Sequence, residues 1–241
     1  MEEKVFDRIE KKYLLTQLQK QALLKPIRHH MKRDKYYKSG VFNVYFDNDN
    51  YDLIIQSIDR PVFKEKLRAR SYEGYDRVFL EIKTKLKQDE YNVGYKRRVM
   101  ITRSDYDELV NGDATVTELA GRAVEKSTDL QIAKEVDYLI EHFDLKPKIL
   151  VFYNRESYKS ADGLRITFDE DLSYRTENIG FNRTKRDKMY FKDIPNIIME
   201  IKAHGVMPLW LVKKMSELHV YPHQFSKVGK IYGLIRKEQN V

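Results

Sequence analysis

The sequence predicts an α+β chain in which eight antiparallel strands close into a tunnel, with helices packed outside it and at its ends. Three observations lead there. Short segments rich in β-branched and aromatic residues recur along the chain, and in nearly all of them charged residues occupy alternate positions. Helical periodicity is confined to a stretch near the start, an insert around 102–146 and a C-terminal segment, 207–235. Side chains two apart on a strand share a face, so each strand has one apolar and one charged side. A closed barrel gives both a place, with apolar side chains outward under helices and charged ones inward around a wet lumen. The alternative is an open sheet whose polar face meets water.

The strands follow in order. Val5–Leu15 alternates, with Arg8, Glu10 and Lys12 on one side. Thr16 is placed to cap a helix whose apolar stripe is Leu18, Ala22, Leu23 and Ile27 and which runs towards His29 and His30. Val41–Asp47 is β-branched and aromatic, and Asn48-Asp49-Asn50 ends it as a turn. Ser57–Pro61 then connects to a central hairpin, Val62–Tyr72 and Arg77–Leu86. Its first strand carries Lys64, Lys66, Arg68 and Arg70 on one face; its second carries Glu81, Lys83 and Lys85. Tyr91–Ile101 follows, and there Lys96 and Arg98 share a face while Arg97 takes the other.

In the insert, Thr102 and Asp105 have capping-box spacing, and Asp129–Phe143 has the clearest apolar stripe of the chain. Lys148–Tyr158 and Gly163–Asp169 return to β structure. Residues 178–193 form a polar, basic loop, either solvated or closing over a ligand. Asn196–Ala203 is the last strand, and Pro208 starts a helix containing Leu211 and Met215. Residues 1–241 are read as one domain. His219 and His223 make no metal pair, because Pro222 breaks a shared helical face.

Composition narrows the partner. The 241 residues carry a net charge of +8, and 34% are charged. Like charges repeated on one face repel unless an anion compensates them, so a polyanion is the economical ligand. There is no Cys, which excludes disulfides and thiolate chemistry. Neither a signal-peptide core nor a membrane-length apolar run is present, so a cytoplasmic protein is expected. Neither a recognition helix nor a stacking platform of aromatics is evident, and no specific nucleic-acid binding is expected.

A family resemblance rests on nine pieces in order. They are Arg8-Ile9-Glu10-Lys11-Lys12-Tyr13, Val44-Tyr45-Phe46-Asp47, Lys66-Leu67-Arg68-Ala69-Arg70, Phe79-Leu80-Glu81-Ile82-Lys83, Lys96-Arg97-Arg98, Tyr153-Asn154-Arg155, Arg165-Ile166-Thr167-Phe168-Asp169, Met199-Glu200-Ile201-Lys202 and Phe225-Ser226-Lys227. In these the chain resembles the polyphosphate polymerase domain of vacuolar transporter chaperone (VTC) complexes. It is more distantly similar to the triphosphate tunnel metalloenzymes, the CYTH-like group that includes adenylate cyclase and thiamine triphosphatase relatives.

The resemblance implies a basic tunnel that binds ATP, pyrophosphate and polyphosphate with Mn2+ or Mg2+. By it, Lys12, Arg68, Arg70, Lys83, Arg155, Arg165 and Lys202 form the catalytic set, and Arg8, Lys66, Lys96, Arg97 and Lys227 bind phosphate. Glu200 leads the metal ligands, with Glu10 and Glu81 beside it. A triphosphate hydrolase and a noncatalytic polyanion-binding module are the alternatives. Val228-Gly229 stands where the family commonly has an aromatic. An inositol-phosphate-sensing domain and membrane helices, which the family's complexes carry, are not seen. The implied assembly is a monomer or weak dimer, working alone or recruited by a membrane-protein partner to the inner face of the membrane.

Overall fold

A computed structural model of the chain describes residues 8–59, 62–88, 91–122, 127–190 and 196–239. The first strand, β1 (Arg8–Leu15), leads into α1 (Gln17–His30) through the expected cap. Thr16 accepts from the Gln19 amide at 3.2 Å, and the Gln19 side chain accepts from the Thr16 amide at 2.9 Å. These bonds satisfy donors that a helix N-terminus otherwise leaves open.

The following strand, β2 (Lys32–Asp47), begins nine residues earlier than the apolar pattern predicts, because its first half is charged and gives no hydrophobic signal. Between the turn at Asn48–Asn50 and the predicted connection at Ser57–Pro61, a stretch with no predicted element, α2 (Asp52–Ile58) forms and runs into that connection. The Asp47 carboxylate nucleates the helix, accepting from the amides of Leu53 at 3.1 Å and Ile54 at 2.8 Å. Then come β3 (Phe63–Tyr72), β4 (Val78–Gln88) and β5 (Tyr91–Ile101), close to their predicted bounds.

The insert contains α3 (Arg103–Asn111), α4 (Val116–Gly121) and α5 (Ser127–Phe143). The α3 helix has its predicted Thr102–Asp105 capping box and ends at Gly112, whose φ of 81° is the left-handed conformation that glycine adopts without strain. Three strands follow, β6 (Lys146–Lys159), β7 (Arg165–Arg175) and the two-residue β8 (Lys188–Met189). The chain continues with β9 (Ile197–His204), α6 (Leu209–Glu217) and α7 (Lys227–Gln239).

The strands form one large antiparallel sheet in the order β1-β9-β7-β6-β2-β3-β4-β5, with β8 added to β7. This departs from the predicted closed, eight-stranded tunnel. Nine strands are present, and among the described residues no ladder joins β5 to β1. The extra strand arises from the 178–193 stretch, whose charges conceal a short pairing.

Contacts divide the chain into two compact units. The first comprises Met1–Gly40, Tyr153–Ser173 and Met189–Ser226. Its core packs Tyr13, Leu15, Tyr158, Ile166, Phe168, Met199 and Ile201 of the strands against Leu23 and Ile27 of α1 and Leu211 and Met215 of α6. The second comprises Val41–Phe152, Tyr174–Lys188 and Lys227–Val241. There Val44, Leu67, Ala69, Leu80, Ile82 and Val99 pack against Leu119 of α4 and Ala133 and Val136 of α5. In both units the alternate strand residues, on the opposite face, are predominantly polar and charged. Among the described residues, no helix is long and apolar enough to cross a membrane.

Candidate phosphate-binding site

The charged face of the second unit is organised by Glu81, which is 1% exposed. On the adjacent strand Arg68 sits directly opposite it, and Arg98 is opposite it on the other side. Arg68 donates to the carboxylate through both Nε, at 3.1 Å, and Nη2. The Lys96 ammonium pairs with the other carboxylate oxygen. Arg70 Nε lies 3.9 Å from Glu81 and donates to Asn43 Oδ1 at 2.9 Å. Burial pushes the Glu81 carboxyl up, but Arg68, Arg70 and Lys96 outweigh it and hold the group at about 2. Lys96 is lowered, chiefly by its own burial.

The ladder also sets like charges side by side. Lys66 is opposite Lys83, which is opposite Lys96, and Lys64 is opposite Lys85. Arg98 lies 4.8 Å from the centroid of the Phe79 ring, a cation–π contact that carries its charge on the same face.

The first unit has a second cluster, built on β1, β9, β7 and the end of β6. Glu200 lies opposite Lys12 on one side and Thr167 on the other. Lys202 Nζ is 2.7 Å from Glu200 and 3.2 Å from Glu10, bridging the two carboxylates. Lys12 Nζ also donates to the Phe225 carbonyl at 3.1 Å. Burial raises the Glu200 carboxyl, but Lys202, Lys12 and Arg155 hold it well below the usual carboxylate range. Arg155 makes a two-pronged pair with the fully buried Asp169, at 2.6 and 2.8 Å. Arg165 is 3.0 Å from Asp34.

Most sequence-predicted site residues thus lie on the two charged faces, with four qualifications. Arg97 does not join Lys96. It lies opposite the core residue Ile82 and reaches Glu65 at 3.3 Å and Glu135 of α5 at 2.8 Å, because neighbouring strand residues point to opposite faces. Lys227 opens α7 and so stands on a helix, off the strands. The Arg8 backbone pairs with His204, but its side chain lies outside the described residues. Glu81 has its carboxylate paired with Arg68 and Lys96 on this face.

Asn43, Asp34 and Asp169, which hold Arg70, Arg165 and Arg155, are site residues that the sequence pattern does not place in the predicted set. Asn43 had a signal, a lone amide among Val41, Phe42 and Val44 on the strand. Among the described residues, no group of three or more His, Cys, Asp or Glu side chains is placed to hold a metal. Glu10 and Glu200, linked through Lys202, form a two-carboxylate donor set. That suits a hard cation completed by phosphate oxygens rather than an all-protein cage.

Comparison with known proteins agrees with this architecture. The family model described as VTC domain matches residues 7–232. Vacuolar transporter chaperone complex subunit 4 of Schizosaccharomyces pombe is 25% identical over 152 residues, covering 58% of this chain and 21% of that protein. The chain thus spans about a fifth of that relative's length. HpAC1 from Hippeastrum, described as an adenylyl cyclase candidate with a dominant triphosphatase activity, shares the fold at a TM-score of 0.55. Its identity is 15%, with 96% of each chain covered. A protein from Pyrococcus horikoshii OT3 matches at a TM-score of 0.47 and 16% identity, over 94% of this chain and 98% of its own. On a family match that runs from the first strand into α7, the chain belongs to the VTC domain family.

Proposed function

We propose that the chain is a metal-dependent polyphosphate polymerase, which moves the terminal phosphoryl group of ATP onto a growing polyphosphate chain. One observation carries the proposal. On the charged face of the second unit, Lys64, Lys66, Arg68, Arg70, Lys83, Lys85, Lys96 and Arg98 stand on three adjacent strands, with the buried Glu81 among them. Like charges placed directly opposite one another destabilise a sheet. An extended chain of phosphates, charged at every unit, compensates such a field along its length. The lumen expected from the sequence belongs to this proposal as the means of keeping that chain aligned.

In the proposed reaction a terminal phosphate oxygen of the acceptor attacks the γ-phosphorus of ATP. A new P–O bond forms, the bond to the β–γ bridging oxygen breaks, and ADP leaves with that oxygen. The acceptor is already anionic, so no protein nucleophile is required. The work left to the protein is in-line positioning and compensation of charge on the equatorial oxygens. Arg70 and Arg165 suit two-pronged contacts with nonbridging oxygens, while Arg68 and Arg155, each already forked onto a carboxylate, and Lys12, Lys83 and Lys202 add positive charge. Glu200 and Glu10 are the residues proposed to hold Mn2+ or Mg2+, which when bound supplies further charge compensation at the phosphates. A partner at a membrane is part of the same reading, prompted by the relative that is a subunit of a complex.

A triphosphate hydrolase is the second reading, favoured by the activity ascribed to the Hippeastrum protein, since the same bases would serve a water nucleophile. Purified protein incubated with ATP and Mn2+, with and without pyrophosphate, separates the two. Polyphosphate with matching ADP is the expected result, whereas orthophosphate without polymer would transfer the assignment to the hydrolase.

A further inference from the structure

Two hydroxyl oxygens on strands of the first unit, Thr167 Oγ1 and Ser157 Oγ, are buried and have no hydrogen-bond partner among the described residues. Thr167 is 4% exposed and Ser157 is 1% exposed. Thr167 lies between Arg165 and Asp169 on the charged side of β7, while Ile166 and Phe168 enter the core. Directly opposite it on β9 is Glu200. Ser157 follows Arg155 by two on β6, which puts both on one face, while Glu156 turns the other way to pair with Lys20 of α1. Arg165 Nε, beside Thr167, likewise lacks a partner among the described residues.

A hydroxyl buried without a bond carries a desolvation penalty that an apolar group of the same shape does not. Such groups in a folded protein ask for an explanation. Buried atoms without a partner among the described residues occur elsewhere too, as at Tyr106 Oη in the second core, but Thr167 stands opposite Glu200 and Ser157 shares a face with Arg155, both on the charged side. We propose that the Thr167 hydroxyl, seconded by Ser157, donates a hydrogen bond to a nonbridging oxygen of the bound phosphate chain. This rests on the reading that phosphates occupy this face. A neutral donor suits the place, because it adds a directed bond without adding charge beside Lys12, Lys202 and Arg155. In the free protein Lys202 is drawn to Glu200 and Glu10, and Arg165 to Asp34. Phosphate competes for both cations, and as they shift towards it the hydroxyl between them becomes reachable.

The test compares Thr167→Val, which keeps the shape and removes the hydroxyl, with Thr167→Ser, which keeps the hydroxyl. Melting temperature without ligand and the Kd for tripolyphosphate with Mn2+ are measured on each. Expected are a Tm for Thr167→Val equal to or above the parent's and a Kd about tenfold weaker, the loss of one hydrogen bond to a charged group. Thr167→Ser should bind within about twofold of the parent, since the donor is retained. Ser157→Ala should repeat the valine pattern. A lower Tm with unchanged Kd would overturn the proposal, because the hydroxyl would then have a structural partner. No change in either quantity would overturn it as well. If the parent itself fails to bind tripolyphosphate, the occupancy of this face by phosphate is what fails, and that result appears before any variant is compared.

Discussion

Glu81 and the cations around it show how much one buried carboxylate controls. Its folded-state pKa of about 2 lies below the ordinary value of 4.5, so the cluster contributes its full stability above pH 4.5 and loses it as the pH falls towards 2. Glu81→Gln should therefore destabilise the protein at pH 7 by about 3 kcal/mol, and should flatten the pH dependence of urea unfolding between those limits. An unchanged slope in that window would assign the acid sensitivity to other groups. Arg68 and Arg70 also part company. Arg68 is buried against Glu81, so Arg68→Ala should lower stability along with phosphate binding. Arg70 is bonded to Asn43 and further from the carboxylate, so Arg70→Ala should cost binding more than stability. Paired Tm and tripolyphosphate Kd measurements on the two variants check that ordering. Alternation told the sequence reader which residues share a face. It could not tell that Asp169 would claim Arg155, or Asp34 claim Arg165, because those partners come from strands set together only by the fold.

Among the elements, the segment after β7 best separates local from tertiary information. Its sequence is polar and basic and reads as a loop, yet the buried Arg175 gathers it. The guanidinium donates to the carbonyls of Gly180 and Asn182 at 3.2 and 3.3 Å, to Thr184 Oγ1 at 2.8 Å and to Asp187 at 2.7 Å. Arg175→Met should release this turn at a cost of about 3 kcal/mol, seen as loss of amide protection across 180–187 in hydrogen exchange. Protection that survives the substitution would show that the backbone holds the turn by itself. Elements with a complete local signal were legible, including α1 and α3 with their capping boxes and β5 with its alternation. Those that rest on a remote or unobtrusive partner were not. The α2 helix depends on a carboxylate ahead of the turn and β8 on pairing with β7, whereas the short α4 has a local Thr115–Glu118 capping box, reinforced by Asp137 of α5 accepting from the amides of Val116 and Thr117.

At the scale of the whole molecule, the chain boundaries of the two compact units fall inside strands rather than in linkers. The division falls at Gly40 and Val41 in β2, at Phe152 and Tyr153 in β6, and at Ser173 and Tyr174 in β7. Thermal unfolding followed by tryptophan fluorescence, which reports Trp210 in the first unit, and by circular dichroism should give coincident transitions. Separate midpoints would show that the units unfold independently. With a net charge of +8 and cations crowded on the faces proposed for phosphate, tripolyphosphate affinity should fall steadily as salt is raised. A salt-insensitive Kd would point away from those faces. The run Lys96-Arg97-Arg98 has a further role in assembly. Its outer two residues meet the charged face, while the middle one ties β3 and α5 together from the other side. Slide β5 by a single position and two cations would be pressed against apolar helices while Glu81 lost its ammonium partner. Three adjacent positive charges thus act as a key cut on both edges, admitting only one alignment of the strand.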